Sequence, residues 1–333
     1  MLHYGNPQLQ GVAIAAFLPT RIVTIEALTK IYESRQRVVA VDGIDLSVPA
    51  GGIFGLLGPN GAGKTTTISI CTTRSLPTSG RVTIAGCDVV AKPAVARRHI
   101  GVVPQFNTLD RSLTAFENLF FHCRYFGMSD SRSKERAQEL LTQFRLADRA
   151  KAFPNELSGG LAQRLLVARA IAHQPAVLFL DEPSAGLDPQ SRLAMWESIR
   201  GLKDQGITVL MTTHYMEEAE ALCDRVAIID HGKILVEDTP ERLKNGLGIQ
   251  TVYGLDVQHV DQREELASRL CAVSDVSSVE TTSTGVRVYT QGAEGLLSTI
   301  VTEAQAYGLR DISISEPSLE TVFIHLTGRE LRE

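Results

Sequence analysis

Residues 58–66 run Gly58, Pro59, Asn60, Gly61, Ala62, Gly63, Lys64, Thr65 and Thr66. The pattern G-x-x-x-x-G-K-[ST], with a strand before it and a helix after it, suits one task, the holding of a phosphate chain. Phosphate oxygens must approach backbone N–H groups closely. Glycines remove the obstructing Cβ and permit unusual φ. A helix starting here aims unpaired N–H groups and a partial positive charge at the anion. Lys64 supplies a cation for β- and γ-phosphates, and Thr65 a hydroxyl ligand for Mg²⁺.

A second constellation is Leu178-Phe179-Leu180-Asp181-Glu182-Pro183. A buried strand that delivers Asp181 to its carboxyl end suits a carboxylate orienting Mg²⁺ or its waters. Glu182 faces another way and can polarise an attacking water as general base. Acids before a proline also open helices, so this pair alone is equally a helix cap. The phosphate-binding loop upstream favours the catalytic reading.

Elements must position these groups. Apolar or β-branched runs at RIVTIEAL, VVAVDGIDLSV and GIFGLLG predict strands, the last leading into the glycine loop. From about 107 to 157 helical spacing takes over, in AFENLFFHCRYFG and SRSKERAQELLTQFRL. LSGG then precedes a helix over LAQRLLVARAIAH. AVLFLDEP is a short continuous apolar run closing on acids, the pattern of a buried parallel strand, and ITVLMTTH reads as the next buried strand. Between them PQSRLAMWESIRGLKDQG predicts a helix ended by Gly206, and RVAIIDHGKILVED a hairpin turning at His231-Gly232. After residue 245 the predicted order is β-α-β-β-α-β, the ferredoxin-like arrangement, then a last helix over SLETVFIHLTG.

Composition narrows the classes. The 333 residues include 33 Lys+Arg and 38 Asp+Glu, for a net charge of −5, without the basic excess of a nucleic-acid binder. The apolar runs are far below the ~20 residues of a membrane span, and the N-terminus is a poor secretory signal. Five scattered cysteines form neither a disulfide framework nor a zinc site. The expectation is a cytosolic protein with reduced thiols, free to dock on a membrane protein.

GPNGAGKTT, Gln105, LSGG, LFLDEP, SAGLD and His214, in that order, resemble the cassette of ABC-type ATPases over about residues 21–240. The signature Leu157-Ser158-Gly159-Gly160 is the discriminating part, because other phosphate-loop ATPases lack it. The resemblance implies that Ser158, Gly159 and Gly160 meet the γ-phosphate held by an opposite subunit. It implies that Gln105 touches Mg²⁺ and the attacking water, and that His214 holds the γ-phosphate. Asp188 would cross the dimer interface, and Tyr32 would stack on adenine. Gln105 is otherwise a surface loop residue, Ser158 and Asp188 plain helix caps, and Tyr32 a strand-end tyrosine. Leu161 departs from the polar residue often found after the signature, with fine effects on coupling expected. DHGKILVEDTPERLK and EPSLETVFIHLTGRELRE resemble single-cassette ATPases that pair with separate permeases of the ABC-2 exporter type, including drug-resistance and nodulation-factor exporters.

The expected fold is therefore α/β: a phosphate-loop NTPase ABC cassette with an antiparallel β-subdomain and a helical subdomain, plus a smaller C-terminal α+β ferredoxin-like domain. Residues 1–20 are read as an extension, 21–245 as the cassette with its helical subdomain near 107–160, and 246–333 as an auxiliary domain. The implied catalytic set is Glu182, His214, Gln105 and Lys64, with Thr65, Gln105 and Asp181 at Mg²⁺. The implied function is ATP hydrolysis coupled to export, through a second cassette, a homodimer by expectation, and an integral-membrane permease. The protein would sit at the inner face of the membrane, with no nucleic acid partner. The competing reading is a soluble, non-transport ABC ATPase.

Overall fold

The structure is a computed structural model and describes residues 20–33, 37–292 and 295–327. The segment read as an extension lies outside the described residues up to position 19, as do the last six residues of the chain. The chain divides into two compact units, residues 1–236 and 237–333.

The first unit carries two sheets. Strands β1 (Arg21–Glu33), β2 (Arg37–Pro49), β4 (Ser79–Ile84) and β5 (Cys87–Asp88) form an antiparallel sheet in the order β2-β1-β4-β5. The second sheet has the order β10-β9-β3-β8-β7-β6, from β3 (Ile53–Leu57), β6 (Ile100–Val103), β7 (Val177–Asp181), β8 (Thr208–Thr213), β9 (Arg225–Asp230) and β10 (Lys233–Asp238). Every residue of β3, β7 and β8 is buried, which is why β3 and β7 read as apolar runs and the threonines of β8 flank an apolar centre. β9 and β10 meet at His231 (φ +47°) and Gly232 (φ +76°), a turn whose twist matches the strands.

Register places the chemistry. In the parallel ladders Leu57 faces Thr213, Asp181 faces Thr212 and Val103 faces Leu180. The carboxyl ends of β3, β8, β7 and β6 therefore lie side by side, and Gly58, His214, Glu182 and Gln105 all follow within two residues of them. Open α/β sheets bind ligands at this edge.

Helices cover the sheets. α1 (Lys64–Cys71) follows the glycine loop, and α2 (Pro93–Arg98) precedes β6. α3 (Ala115–Tyr125), α4 (Asp130–Gln143) and α5 (Gly159–Ala170) build the helical part of the unit. α3 opens with a reciprocal capping box between Thr114 and Glu117. α6 (Pro189–Asp204) buries Met195, Trp196, Ile199 and Leu202, a single apolar stripe at helical spacing. α7 (Met216–Leu222) lies between β8 and β9. The sequence predicted neither α7, which is about two turns of mostly acidic and small residues, nor β4, β5, α2 and β6 before residue 107.

The second unit contains α8 (Pro240–Asn245), β11 (Thr251–Val257), α9 (Arg263–Cys271), β12 (Val276–Thr281), β13 (Gly285–Thr290), α10 (Leu296–Gln305), β14 (Leu309–Ser315) and α11 (Leu319–Thr327). Its sheet order is β12-β13-β11-β14, antiparallel throughout, which is the ferredoxin-like arrangement. Tyr253, Leu255 and Val257 on one face of β11 pack with Leu266, Leu270 and Ile300 from α9 and α10.

Candidate active site

The glycine loop is held rigidly. Gly63 has φ +108°, and a Cβ there would lie 2.4 Å from the Ala40 carbonyl oxygen. Only glycine fits both the conformation and the space. Gly63 is also the cap of α1, with no side chain bonded to the helix's first N–H groups. Those groups are left for an anion. A Cβ on Gly58 would lie 2.1 Å from the Ile229 carbonyl oxygen, so the loop is also pressed against β9.

Lys64 is buried, at 3% exposure. Its Nζ donates to the carbonyls of Gly58 at 2.7 Å and Pro59 at 3.0 Å, so the ammonium is folded into the loop. Burial lowers its pKa, opposed by the charges of Glu182 and Asp181. Glu182 Oε1 lies 3.6 Å from Nζ.

Glu182 is the centre of the cluster. Gln105 Nε2 donates to its Oε2 at 3.2 Å. His214 Nδ1 lies 3.2 Å from its Oε1 without hydrogen-bond alignment, and is a buried atom lacking a hydrogen-bond partner. Glu182 itself has φ +50°, a strained conformation for a residue with a side chain. The strain is held by its N–H, which donates to the Thr212 carbonyl at 3.2 Å and faces the Thr212 hydroxyl at 3.1 Å. This backbone turn sends Glu182 toward Lys64 while Asp181 points elsewhere.

Asp181 Oδ1 accepts from Thr212 Oγ1 at 2.6 Å and from Thr65 Oγ1 at 3.2 Å. A buried carboxylate beside a threonine hydroxyl is a hard-oxygen donor pair that fits Mg²⁺. Thr212 thus supports both acids, and the sequence reading missed it. Its signal was a pair of threonines closing an otherwise apolar strand.

Six expected residues, Lys64, Thr65, Gln105, Asp181, Glu182 and His214, therefore meet in one cluster. None of the hydrogen bonds or ion pairs that join this cluster reaches Ser158, Gly159, Gly160 or Asp188. Ser158 Oγ accepts from Leu161 N at 3.4 Å as the cap of α5, and Asp188 Oδ1 accepts from Ser191 N at 3.0 Å as the cap of α6. Hydrogen bonds from Ser191 hold Asp188 below the ordinary carboxylate range. Gly159 has open space around it. Gly160 has an intrachain reason to be glycine, since a Cβ would lie 2.6 Å from Ser191 Oγ. Tyr32 is 42% exposed and pairs, near the end of the β1–β2 ladder, with Val38, which lies two residues before Ala40, whose carbonyl faces Gly63.

Comparison with known proteins agrees with this geometry. Residues 41–185 match the ABC transporter family. The chain is 41% identical over 315 residues to the daunorubicin/doxorubicin resistance ATP-binding protein DrrA of Streptomyces peucetius, covering 93% of each chain. It is 38% identical over 337 residues to the Nod factor export ATP-binding protein I of Ralstonia nicotianae, covering all of both chains. It is 39% identical to the linearmycin resistance ATP-binding protein LnrL of Bacillus subtilis, across 88% of this chain and 95% of that one. Among solved structures, the ATP-binding cassette MJ0796 bound to ADP and Pi superposes with a TM-score of 0.60 at 29% identity, over 65% of this chain and 98% of that one. Full-length likeness to export and resistance ATP-binding proteins, together with a phosphate loop and acid pair built as a cassette requires, means that this chain belongs to the ABC transporter family as a single-cassette exporter ATPase.

Proposed function

We propose that two copies of this chain close on two molecules of ATP and that the closure drives export through a separate membrane permease. The observation that carries the site assignment is the convergence of Lys64, Gln105 and His214 on the Glu182 carboxylate, next to the Asp181–Thr65 pair. Lys64 and the first turn of α1 bind β- and γ-phosphates. Glu182 takes the proton of the attacking water. Gln105 and His214 position that water and the γ-phosphate. Thr65, Asp181 and Gln105 would hold Mg²⁺, which supplies charge neutralisation on the phosphates. Tyr32 stacks on the base. The hydrolysis asks the chain for positioning and electrostatic complementarity rather than covalent chemistry.

Ser158, Gly159, Gly160 and Asp188 complete the site of the other copy. Their bonding to their own helices rather than to the Lys64 cluster, and the unobstructed N-terminus at Gly159, support a site shared between subunits. Mixing Lys64→Ala with Ser158→Arg subunits should then give heterodimers with one doubly damaged and one intact site, and activity above the mean of the two parents. A mixture that never exceeds that mean, after subunit exchange is demonstrated, refutes the shared site.

No helix of the described residues is long and apolar enough to cross a membrane, so transport needs a partner that does. The proposed place is the inner face of the membrane, held by the permease. Residues 246–333 carry no phosphate loop and serve as an auxiliary module for association or regulation. Co-sedimentation with a polytopic membrane protein tests the docking; recovery of the chain only from the soluble fraction, with the permease present, contradicts it.

A further inference from the structure

Glu218 lies outside the motifs and has no place in the site described above, yet it is wholly buried, at 0% exposure. Burying a carboxylate is costly unless its surroundings answer it. An apolar residue on the inner face of α7 would fill the same space without that cost, so the groups around the carboxylate indicate what it does.

Four elements meet there. From α6, Trp196 Nε1 donates to Glu218 Oε1 at 3.1 Å, in a fully buried contact. Burial pushes the Glu218 pKa up, and from the same helix the positive charge of Arg192 opposes that shift. From the loop between Glu182 and Asp188, the buried hydroxyl of Ser184 faces it, with Ser184 Oγ and Glu218 Oε2 both buried and without a hydrogen-bond partner. From the end of β8, so does the buried hydroxyl of Thr213, one residue before His214. Arg192 also lies over the Tyr215 ring, 5.3 Å from its centroid, and the Tyr215 ring sits 4.0 Å from the His214 ring. One carboxyl group therefore bonds α6, the helix that Asp188 caps, and lies beside the strand end that presents His214 and the loop that leads to Asp188. Through Arg192 and Tyr215 it reaches the flank of the His214 imidazole.

We propose that Glu218 is a positioning residue that ties the His214 strand end to the Asp188 loop and α6, so that the two groups present themselves to ATP and to the second subunit in one fixed relation. The inference rests on the roles assigned above to His214 and Asp188. Its geometry explains a buried acid where packing alone needs none. It also explains the only tryptophan of the chain, Trp196, whose indole N–H would otherwise be buried without a partner.

Three variants of the full chain test this. Glu218→Gln keeps the length and an acceptor oxygen for Trp196. Glu218→Asp keeps the charge but falls one methylene short of it. Glu218→Ala removes both. Steady-state hydrolysis of Mg-ATP is measured for each, with urea unfolding to establish the folded fraction. Emission of Trp196, the sole tryptophan, reports the contact directly. Glu218→Asp and Glu218→Ala should lose kcat by about 10- to 100-fold, the scale of a misplaced catalytic group, with KM for ATP unchanged. Both should shift the Trp196 emission, while Glu218→Gln recovers most of the turnover and the native emission. Should Glu218→Ala not fold, the Asp and Gln variants decide. Folded Glu218→Asp with wild-type kcat overturns the proposal, as does a loss of turnover in Glu218→Gln equal to that in Glu218→Asp. Glu182→Gln is run alongside. Wild-type turnover there refutes the site assignment itself, whereas an inactive Glu182→Gln beside a fully active Glu218→Asp refutes the positioning role alone.

Discussion

Glu182→Gln removes one negative charge while leaving volume and shape nearly unchanged. In the protein that charge lies 3.6 Å from Lys64 Nζ, and both groups are buried. At this distance and an effective dielectric of about 20, their attraction is about 4–5 kcal/mol, before the desolvation of both groups is subtracted. Without the carboxylate, Lys64 keeps only its carbonyl acceptors, Gly58 and Pro59, as close partners for a buried ammonium. A γ-phosphate would restore the lost counter-charge, and it would no longer approach a fixed carboxylate. Binding of ATP should therefore be kept or strengthened. Turnover should collapse, because an amide cannot accept the proton of the attacking water. Loss of a general base typically costs ~10²–10⁴-fold, or ~3–5 kcal/mol in the barrier. The backbone should not change, since the φ of +50° at residue 182 is held by Thr212 and not by the side chain. The assay is phosphate release under saturating Mg-ATP, beside nucleotide titration and sedimentation. The expected picture is an ATP-bound dimer that does not turn over. Wild-type turnover would refute the base assignment. A loss of ATP affinity as large as the loss of rate would instead make Glu182 a ground-state binding group.

Gly63→Ala forces a Cβ to within 2.4 Å of the Ala40 carbonyl at φ +108°, so it should cost more than about 2 kcal/mol and abolish ATP binding; an unaltered urea midpoint would contradict the loop geometry. His173 is stacked on Phe126 and burial lowers its pKa from 6.5 to about 4, so its neutral form is favoured in the folded state. That contribution is full above pH 6.5 and is lost as pH falls toward 4, and His173→Phe should flatten this acid limb in pH-dependent unfolding. A chain ending at Asn245 keeps every assigned site residue and the whole six-stranded sheet, and should bind nucleotide; a product folded by circular dichroism yet unable to bind ATP would contradict the auxiliary role of the remainder.

Much of this protein was legible locally. The glycine loop carries its own reason in residue types, because close phosphate approach demands glycine and a helix start whatever surrounds them. Continuous apolar runs at residues 177–180 and 209–211 foretold buried parallel strands, since a strand covered on both faces has no polar side to show. The β-α-β-β-α-β order after residue 245 followed from a period of two alternating with a helical period, and the strands do pair as that order requires. These features depend on neighbours in sequence, so sequence determines them.

Adjacency in space was decided only by the tertiary structure. Nothing in ITVLMTTH says that Thr212 stands opposite Asp181 and holds Glu182 in a left-handed conformation; that depends on the parallel register of β7 and β8 across an intervening helix. Gly160 reads as part of an anion site, but its lack of a side chain is also demanded by Ser191 of α6, thirty-one residues away in the chain. Glu218 reads as one acid among several on a short helix until its burial and the Trp196 indole bonded to it from α6 are seen. Local pattern encodes which face of an element is apolar. Which polar group is buried with which partner is fixed by the packing of elements distant in sequence, where an unanswered buried charge is costly enough to select one arrangement.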